Sequence, residues 1–399
     1  MAQVKIPRTV TAMMREIVRL LQDPALFVWA LFVLAIPFYV LGSGLPQPGD
    51  VLILPLVPLA LLRWNGHLDR SARGPFKSLI AFTCWVMVVD WGWALLLGNF
   101  GLIGPDTFLI WPLYYIFNTL VFLIVCVFYQ RYGMRFLWLT MHLLLVSVVM
   151  QAVASFVVHR GSELRGIGFF NNPNQLGFFA LCNASVMALG RRGIGLGALK
   201  AGVGITTCVY LALVSASRAA VIGCAILFAL TMISNPRRII VAAIVILGLV
   251  AIGGPISNAI DNTQQRLTTE RYAQWNFFEE RGYDRILNNK EYWLLGAGEG
   301  GTSRFKETTA IGATEVHSSA GTIFFSYGVV GVGLFAAFLW RVTERTGFRA
   351  TVMLIPALSY TVAHQGLRSS SLWILFATFI CICHAQRAAA RAARAVERP

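Results

Sequence analysis

The sequence predicts an all-α polytopic membrane protein with about twelve transmembrane helices, on three observations. Of the 399 residues 57% are hydrophobic and only 13% charged, against about 25% charged in soluble domains. Apolar runs recur at roughly the 20 residues a helix needs to cross a hydrocarbon core. Basic residues gather in alternate connections, as the positive-inside rule requires of a multi-pass chain.

The elements follow in order. The basic lead (Lys5, Arg8, Arg15, Arg19) has no small-residue cleavage site after its apolar run, so it does not read as a cleaved signal. Arg15 and Arg19 stand one turn apart, and residues 9–22 are expected to lie along the headgroups. Spans are expected at about 25–41, 50–63, 77–97, 107–129, 135–158, 174–190, 195–215, 218–233, 238–254, 318–340, 348–365 and 371–386. The second and eighth are short, and Pro55 and Pro58 weaken the second. This divides the chain into a transmembrane bundle (1–254), a hydrophilic loop subdomain (255–317) and a C-terminal set of spans with a basic tail (318–399).

The charge of the connections sets the orientation. "RWNGHLDRSARGPFK", "QRYGMR", "NPRR", "RVTERTGFR" and the tail fall on one side, whereas "GSGLPQPGD" and "GNFGLIGPD" carry no lysine or arginine. Both termini are therefore expected in the cytoplasm. The same bias accounts for the net charge of +15, so nucleic acid is not an expected partner. The seven cysteines all lie in apolar segments, which gives neither a disulfide framework nor a zinc site.

Arginines on the outer side run against the rule and need another reason. They are Arg160, Arg165, Arg218, Arg368 and, in the large loop, Arg266, Arg271, Arg281, Arg285 and Arg304. A planar guanidinium suits pyrophosphate or carboxylate recognition. The passage "HRGSELRGIGFFNNPNQLG" (159–177) adds Asn171, Asn172, Asn174 and Gln175, amides that can meet sugar hydroxyls or backbone.

The large loop holds half of the chain's 18 acidic residues, several beside arginines, and an aromatic set that suggests a small, partly helical folded unit. "GAGEGG" offers backbone amides to a phosphate, but without the strand–loop–helix setting of a nucleotide site. His317, after Glu315 and before two serines, sits where the headgroup of a lipid-linked substrate would lie, and its near-neutral pKa suits a general base. His142 and His364 read as packing residues. Asp90, inside a span, reads equally as a functional acid or as a structural hydrogen-bonding group. No Asp-x-Asp, His-x-x-x-His or Glu-x-x-His spacing occurs in the outer loops, so neither a metal nor another cofactor is expected.

Four motifs in order, "RGIGFFNNPNQLG", "SASRAAVIG", "RYAQW…YWLLGAGEG" and "EVHSSAGTIFFSYGVVG", resemble the superfamily of O-antigen ligases and Wzy-type polysaccharide polymerases over residues 159–335. The resemblance implies a GT-C-like membrane glycosyltransferase of the bacterial inner membrane, working at the periplasmic face. It implies metal-independent, inverting transfer of a glycan from an undecaprenyl pyrophosphate-linked oligosaccharide to an acceptor sugar hydroxyl. The acceptor would be a lipid-linked repeat (polymerase) or lipid A core (ligase); a chain-length regulator is a candidate partner of the polymerase. The catalytic residues it implies are His317, Arg218 and Arg271, with Arg281 and Arg285 as alternatives to Arg271. Arg160, Arg165, Asn172, Asn174, Glu315 and Arg368 are the expected substrate contacts. A polymerase is the first reading, a ligase the second and a polysaccharide flippase or transporter a more distant third.

Overall fold

A computed structural model describes residues 10–42, 45–102, 107–157, 161–162, 165–194, 196–232, 260–262, 264–265, 281–305 and 316–396. The protein is all-α apart from a two-stranded ribbon, and it is a polytopic membrane protein by the length and apolarity of its helices. The ninth expected span (238–254), His159, Arg160, Arg266, Arg271 and Glu315 lie outside the described residues.

The chain enters through α1 (Val10–Leu21) and α2 (Pro24–Ala35), which meet at 109°. Asp23 makes the corner: its carboxylate accepts from the Ala25 amide, and Pro24 opens α2, where a missing N–H costs nothing. Short α3 (Pro48–Val51) and α4 (Ile53–Arg63) occupy the second expected span, and α4 carries Pro58. Next come α5 (Arg70–Leu97), α6 (Ile110–Tyr132) and α7 (Met134–Val157), each able to span a bilayer alone. Gly98 ends α5 in the left-handed region at φ 64°, and the Asn99 amide closes the last turn on the Ala94 carbonyl.

A ribbon of β1 (Gly161–Ser162) and β2 (Arg165–Gly166) leads into α8 (Pro173–Gly193). The helices α9 (Ala198–Ser215) and α10 (Arg218–Met232) are joined by two residues, and Ala216 holds φ 45°, a value uncommon for a side-chain-bearing residue. After the loop come α11 (Tyr283–Asn288), α12 (Ser319–Thr343), α13 (Phe348–Thr351), α14 (Ile355–Ala363) and α15 (Ser370–Val396). Among the described residues six helices (α5, α6, α7, α9, α12 and α15) are long and apolar enough to cross a membrane, or seven if α1 and α2 count as one bent span. The other expected spans among the described residues are shorter helices or, for α8, a longer but less apolar one.

The middle of the bundle explains α8. Residues 176–190 of α8 and 371–383 of α15 are buried on every side. A helix enclosed by protein can carry Asn183, whose amide donates to the Phe179 carbonyl at 2.7 Å, and Ser185, which a lipid-facing helix would expose to oil. The cysteines of these helices, Cys182, Cys381 and Cys383, are small buried fillers.

The most irregular span is α12. It is broken at Gly328, where φ is 68° and ψ −171°. In a hydrocarbon layer each unmatched backbone group costs on the order of several kcal/mol, so a break must be matched by protein. Residues 293–298 do this. Ala297 and Gly298 amides donate to the Phe325 and Ser326 carbonyls at 2.9 Å each, the Val329 amide donates to the Trp293 carbonyl at 2.8 Å, and the Trp85 indole donates to the Tyr327 carbonyl. The contact is so close that a Cβ at Gly328 would lie 2.3 Å from the Leu294 carbonyl oxygen, and one at Gly296 2.2 Å from that of Ser326. Of the glycines of "GAGEGG", Gly296 and Gly300 thus allow backbone-to-backbone contact, with Ser326 and Thr107, while Gly298 and Gly301 leave room for the Asp90, Trp93 and Phe108 side chains.

A candidate active site at one end of the bundle

The starts of α8, α10, α12 and α15 and the ends of α9 and α14 come together at one end, and most of the predicted site residues that are described lie there. Asn172 is the N-cap of α8, accepting from the Asn174 amide at 2.8 Å, so its oxygen orients the helix. Asn174 accepts at Oδ1 from Arg165 Nη2 at 2.8 Å. Arg165 Nε donates to the Ser215 carbonyl at 3.1 Å, at the last residue of α9. Three residues on, Arg218 opens α10. A Cβ at Gly177 would lie 2.8 Å from both Ser215 Oγ and Ala220 Cβ, so α8 crosses this turn in contact.

From Asn174 the chain of contacts continues. The Tyr360 hydroxyl donates to the Asn174 carbonyl at 2.8 Å, and the Tyr360 ring lies 5.0 Å from that of His364. His364 Nδ1 is 3.1 Å from Arg281 Nη1; an arginine only donates, so this ring nitrogen is the acceptor. The Arg281 carbonyl in turn accepts from the His317 amide at 3.0 Å. His317 is half-buried, immediately before Ser318, the N-cap of α12. Tyr283 ties this corner, with its hydroxyl 2.7 Å from Ser318 Oγ and donating to the Val362 carbonyl. Arg165, Asn174, Arg281 and His317 therefore converge through Tyr360 and His364.

Arg368 is set deeper. It pairs with Glu299 of the glycine-rich loop, and its guanidinium lies 4.2 Å from the Trp111 ring centroid. Glu299 also accepts from the Tyr115 and Tyr327 hydroxyls at 3.2 and 2.8 Å. Asp90 accepts from the Glu299 amide and contacts the Tyr327 hydroxyl at 3.1 Å. Asp90, with 0% exposure, is a hydrogen-bonding post for the loop, which favours its structural reading.

The loop's other predicted features change meaning here. The amides of Ala297, Gly298 and Glu299 are all engaged by protein, so these three do not form a phosphate cradle. Arg304 lies within 5.0 Å of the Trp93, Phe108 and Phe305 rings and donates to the Ala297 and Gly301 carbonyls, which makes it a staple of the loop. Arg285 is 4% exposed and packs over Phe305, in a small apolar cluster with Ile286, Ala297, Val316 and Phe325. That burial sets it apart from Arg281, which stands in the convergent group. Among the described residues no three His, Cys, Asp or Glu side chains gather as metal ligands would.

Sequence reasoning missed Glu299, His364, Tyr115, Tyr327 and Tyr360. A signal existed for two of them: Glu299 is the sole acid in a run of glycines, and His364 stands four residues before Arg368 in the same short connection. Comparison with known proteins finds no matching family model and no matching curated protein.

Proposed function

We propose that this protein is a membrane glycosyltransferase that moves a glycan from a polyprenyl pyrophosphate to a sugar hydroxyl at the outer face of the bacterial inner membrane. The observation that carries the reading is the chain of contacts at one end of the bundle that links Arg165, His364, Arg281 and the backbone of His317. Preorganised guanidinium groups stabilise the charge of a departing lipid pyrophosphate. His317 removes the proton of the attacking hydroxyl, and direct displacement inverts the anomeric carbon. The motif order of the O-antigen ligase and Wzy-type superfamily supports the same reading, with Arg218 and Arg271 completing the anion site. A polymerase remains our first assignment and a ligase the second.

One observation favours a transporter, since broken helices such as α12 are common at transport sites. Against that, the backbone groups exposed by the Gly328 break are met by residues 293–298, and a transported ion would need them open.

The test is turnover of purified full-length protein with a synthetic polyprenyl-pyrophosphate oligosaccharide as both donor and acceptor. Extended lipid-linked product is expected, and it should survive a chelator because the outer loops lack metal-ligand spacing. Failure to act on any lipid-linked glycan, with movement of that lipid between leaflets instead, would establish the transporter. Reporter fusions near residues 45, 102 and 290 are expected outside and those near 70 and 133 inside; a cytoplasmic Gly298 would overturn the site.

A further inference from the structure

Five polar side chains from five parts of the chain meet in the interior: Asp90 of α5, Tyr115 of α6, Glu299 of the loop, Tyr327 of α12 and Arg368 of the α14–α15 turn. Four are buried, with exposures of 0%, 3%, 4% and 0%, and only Arg368 reaches outward, with 19% of its side chain exposed. The proposed transfer reaction gives Glu299 no role. Arranging an acid inside a helix bundle at the tip of a glycine loop is expensive, and removing one partner of a buried ion pair leaves the other uncompensated.

The order of contacts shows what the arrangement does. Asp90 fixes the backbone of Glu299, and the two tyrosine hydroxyls fix one carboxylate oxygen, Oε2. The other oxygen, Oε1, receives both Nε and Nη2 of Arg368. Trp111 covers a face of the same guanidinium, and the Leu367 carbonyl beside it is held by Asn118 and Trp373. A long, rotamer-rich side chain is thereby fixed at both its backbone and its tip.

We propose that Glu299 is the positioning residue for Arg368, holding its partly exposed guanidinium in one orientation for the anionic phosphate group of the lipid donor. The phosphate assignment rests on the glycosyl-transfer reading; the positioning itself does not. Glu299 touches no substrate in this scheme and acts only through Arg368.

The experiment has two arms on the full-length protein in nanodiscs. In the first, phenylglyoxal labelling of Arg368 is followed by peptide mass spectrometry. Labelling should be slow in the wild type and on the order of tenfold faster in Glu299→Gln, which loses a charge-assisted bond. Glu299→Asp keeps the charge and should restore slow labelling, a rescue that a merely structural fault would not show. An unchanged labelling rate in Glu299→Gln overturns the positioning role. In the second arm, undecaprenyl pyrophosphate binding is measured for Glu299→Gln, Arg368→Gln and the double variant. Each single change should weaken binding roughly tenfold, and the double should be no worse than Arg368→Gln. Additive losses would mean that Glu299 acts independently of Arg368, which also overturns the proposal. If labelling responds as expected but the wild type binds no undecaprenyl pyrophosphate, the positioning stands and the glycosyl-transfer reading falls.

Discussion

The two ends of the bundle use arginine differently. At the end opposite the candidate site, arginines meet acids close at hand: Arg63 bonds Asp23 at 3.1 Å, Arg341 meets Glu344 at 2.9 Å and Arg135 approaches Glu16 at 3.6 Å. At the site end, Arg165 bonds a backbone carbonyl and an amide oxygen, Arg281 bonds an imidazole, and Arg368 pairs with the buried Glu299. Arginine that pairs with a nearby surface acid serves topology and adds little stability. Arginine held in place by several partners from the bundle presents a fixed positive group, which suits recognition of an anion.

The largest expected effect comes from the residue proposed as proton acceptor. His317→Ala should lower turnover by roughly 10²–10⁴-fold while the lipid-linked donor still binds, as single-turnover and binding assays would read. Near-normal turnover would remove His317 from the chemistry. Arg165→Ala and Arg218→Ala should each weaken donor binding and turnover together, by on the order of 10²-fold in turnover, with only partial rescue by lysine, which lacks the planar fork.

Next in size is a stability effect at the join between the loop and α12. Gly328→Ala would place a Cβ 2.3 Å from the Leu294 oxygen and force a left-handed alanine. It should cost about 1–3 kcal/mol in thermal unfolding.

Asp23→Asn tests the opposite end and should act more weakly, by about 1 kcal/mol or less. Partial burial raises the Asp23 carboxyl, but bonds from the Tyr132 hydroxyl and the Ala25 amide and the charge of Arg63 outweigh it, so its pKa lies below the ordinary value. A depressed folded pKa gives stability that is full above the unfolded value of about 3.9 and lost as pH falls through the folded one. The difference between Asp23→Asn and the parent should therefore be present at pH 7 and shrink only below about pH 4. Arg345→Ala, beside Glu344, is expected to leave donor binding and turnover unchanged. A loss matching that of Arg218→Ala would erase the distinction between the two ends.

Most of the helical framework was legible because a bilayer demands long apolar runs, and those show in any window of the sequence. The prolines at 55 and 58 correctly marked the weakest element, where α3 and α4 replace a single span. The site was legible in part. The arginines expected on the outer side stand out as exceptions to a charge rule, and the structure links Arg165 and Arg281 to the backbone of His317. The loop's insertion was not legible, because pairing between residues 293–298 and 325–330 is made by backbone atoms, which leave only glycines as a trace. In the sequence His364 reads as a packing residue because its partner, Arg281, lies 83 positions away. Tyr115 and Tyr327 were passed over because tyrosine in an apolar run reads as an ordinary aromatic until a buried carboxylate is found beside it.

The break in α12 has a consequence for how the protein is made. Residues 293–298 leave the ribosome before α12 does, yet they complete its hydrogen bonding. That hydrogen bonding is therefore completed only when residues 293–298 and α12 meet inside the bundle. Alone in lipid, α12 would have no partner for its opened turn and would do best as an uninterrupted helix. The kink is thus acquired late, when the loop and α12 meet, and the same event carries Glu299 to Asp90 and Arg368. Closing the break in α12 and forming the Glu299–Arg368 pair are thus one assembly step, so a chain in which the loop cannot meet α12 would lack both.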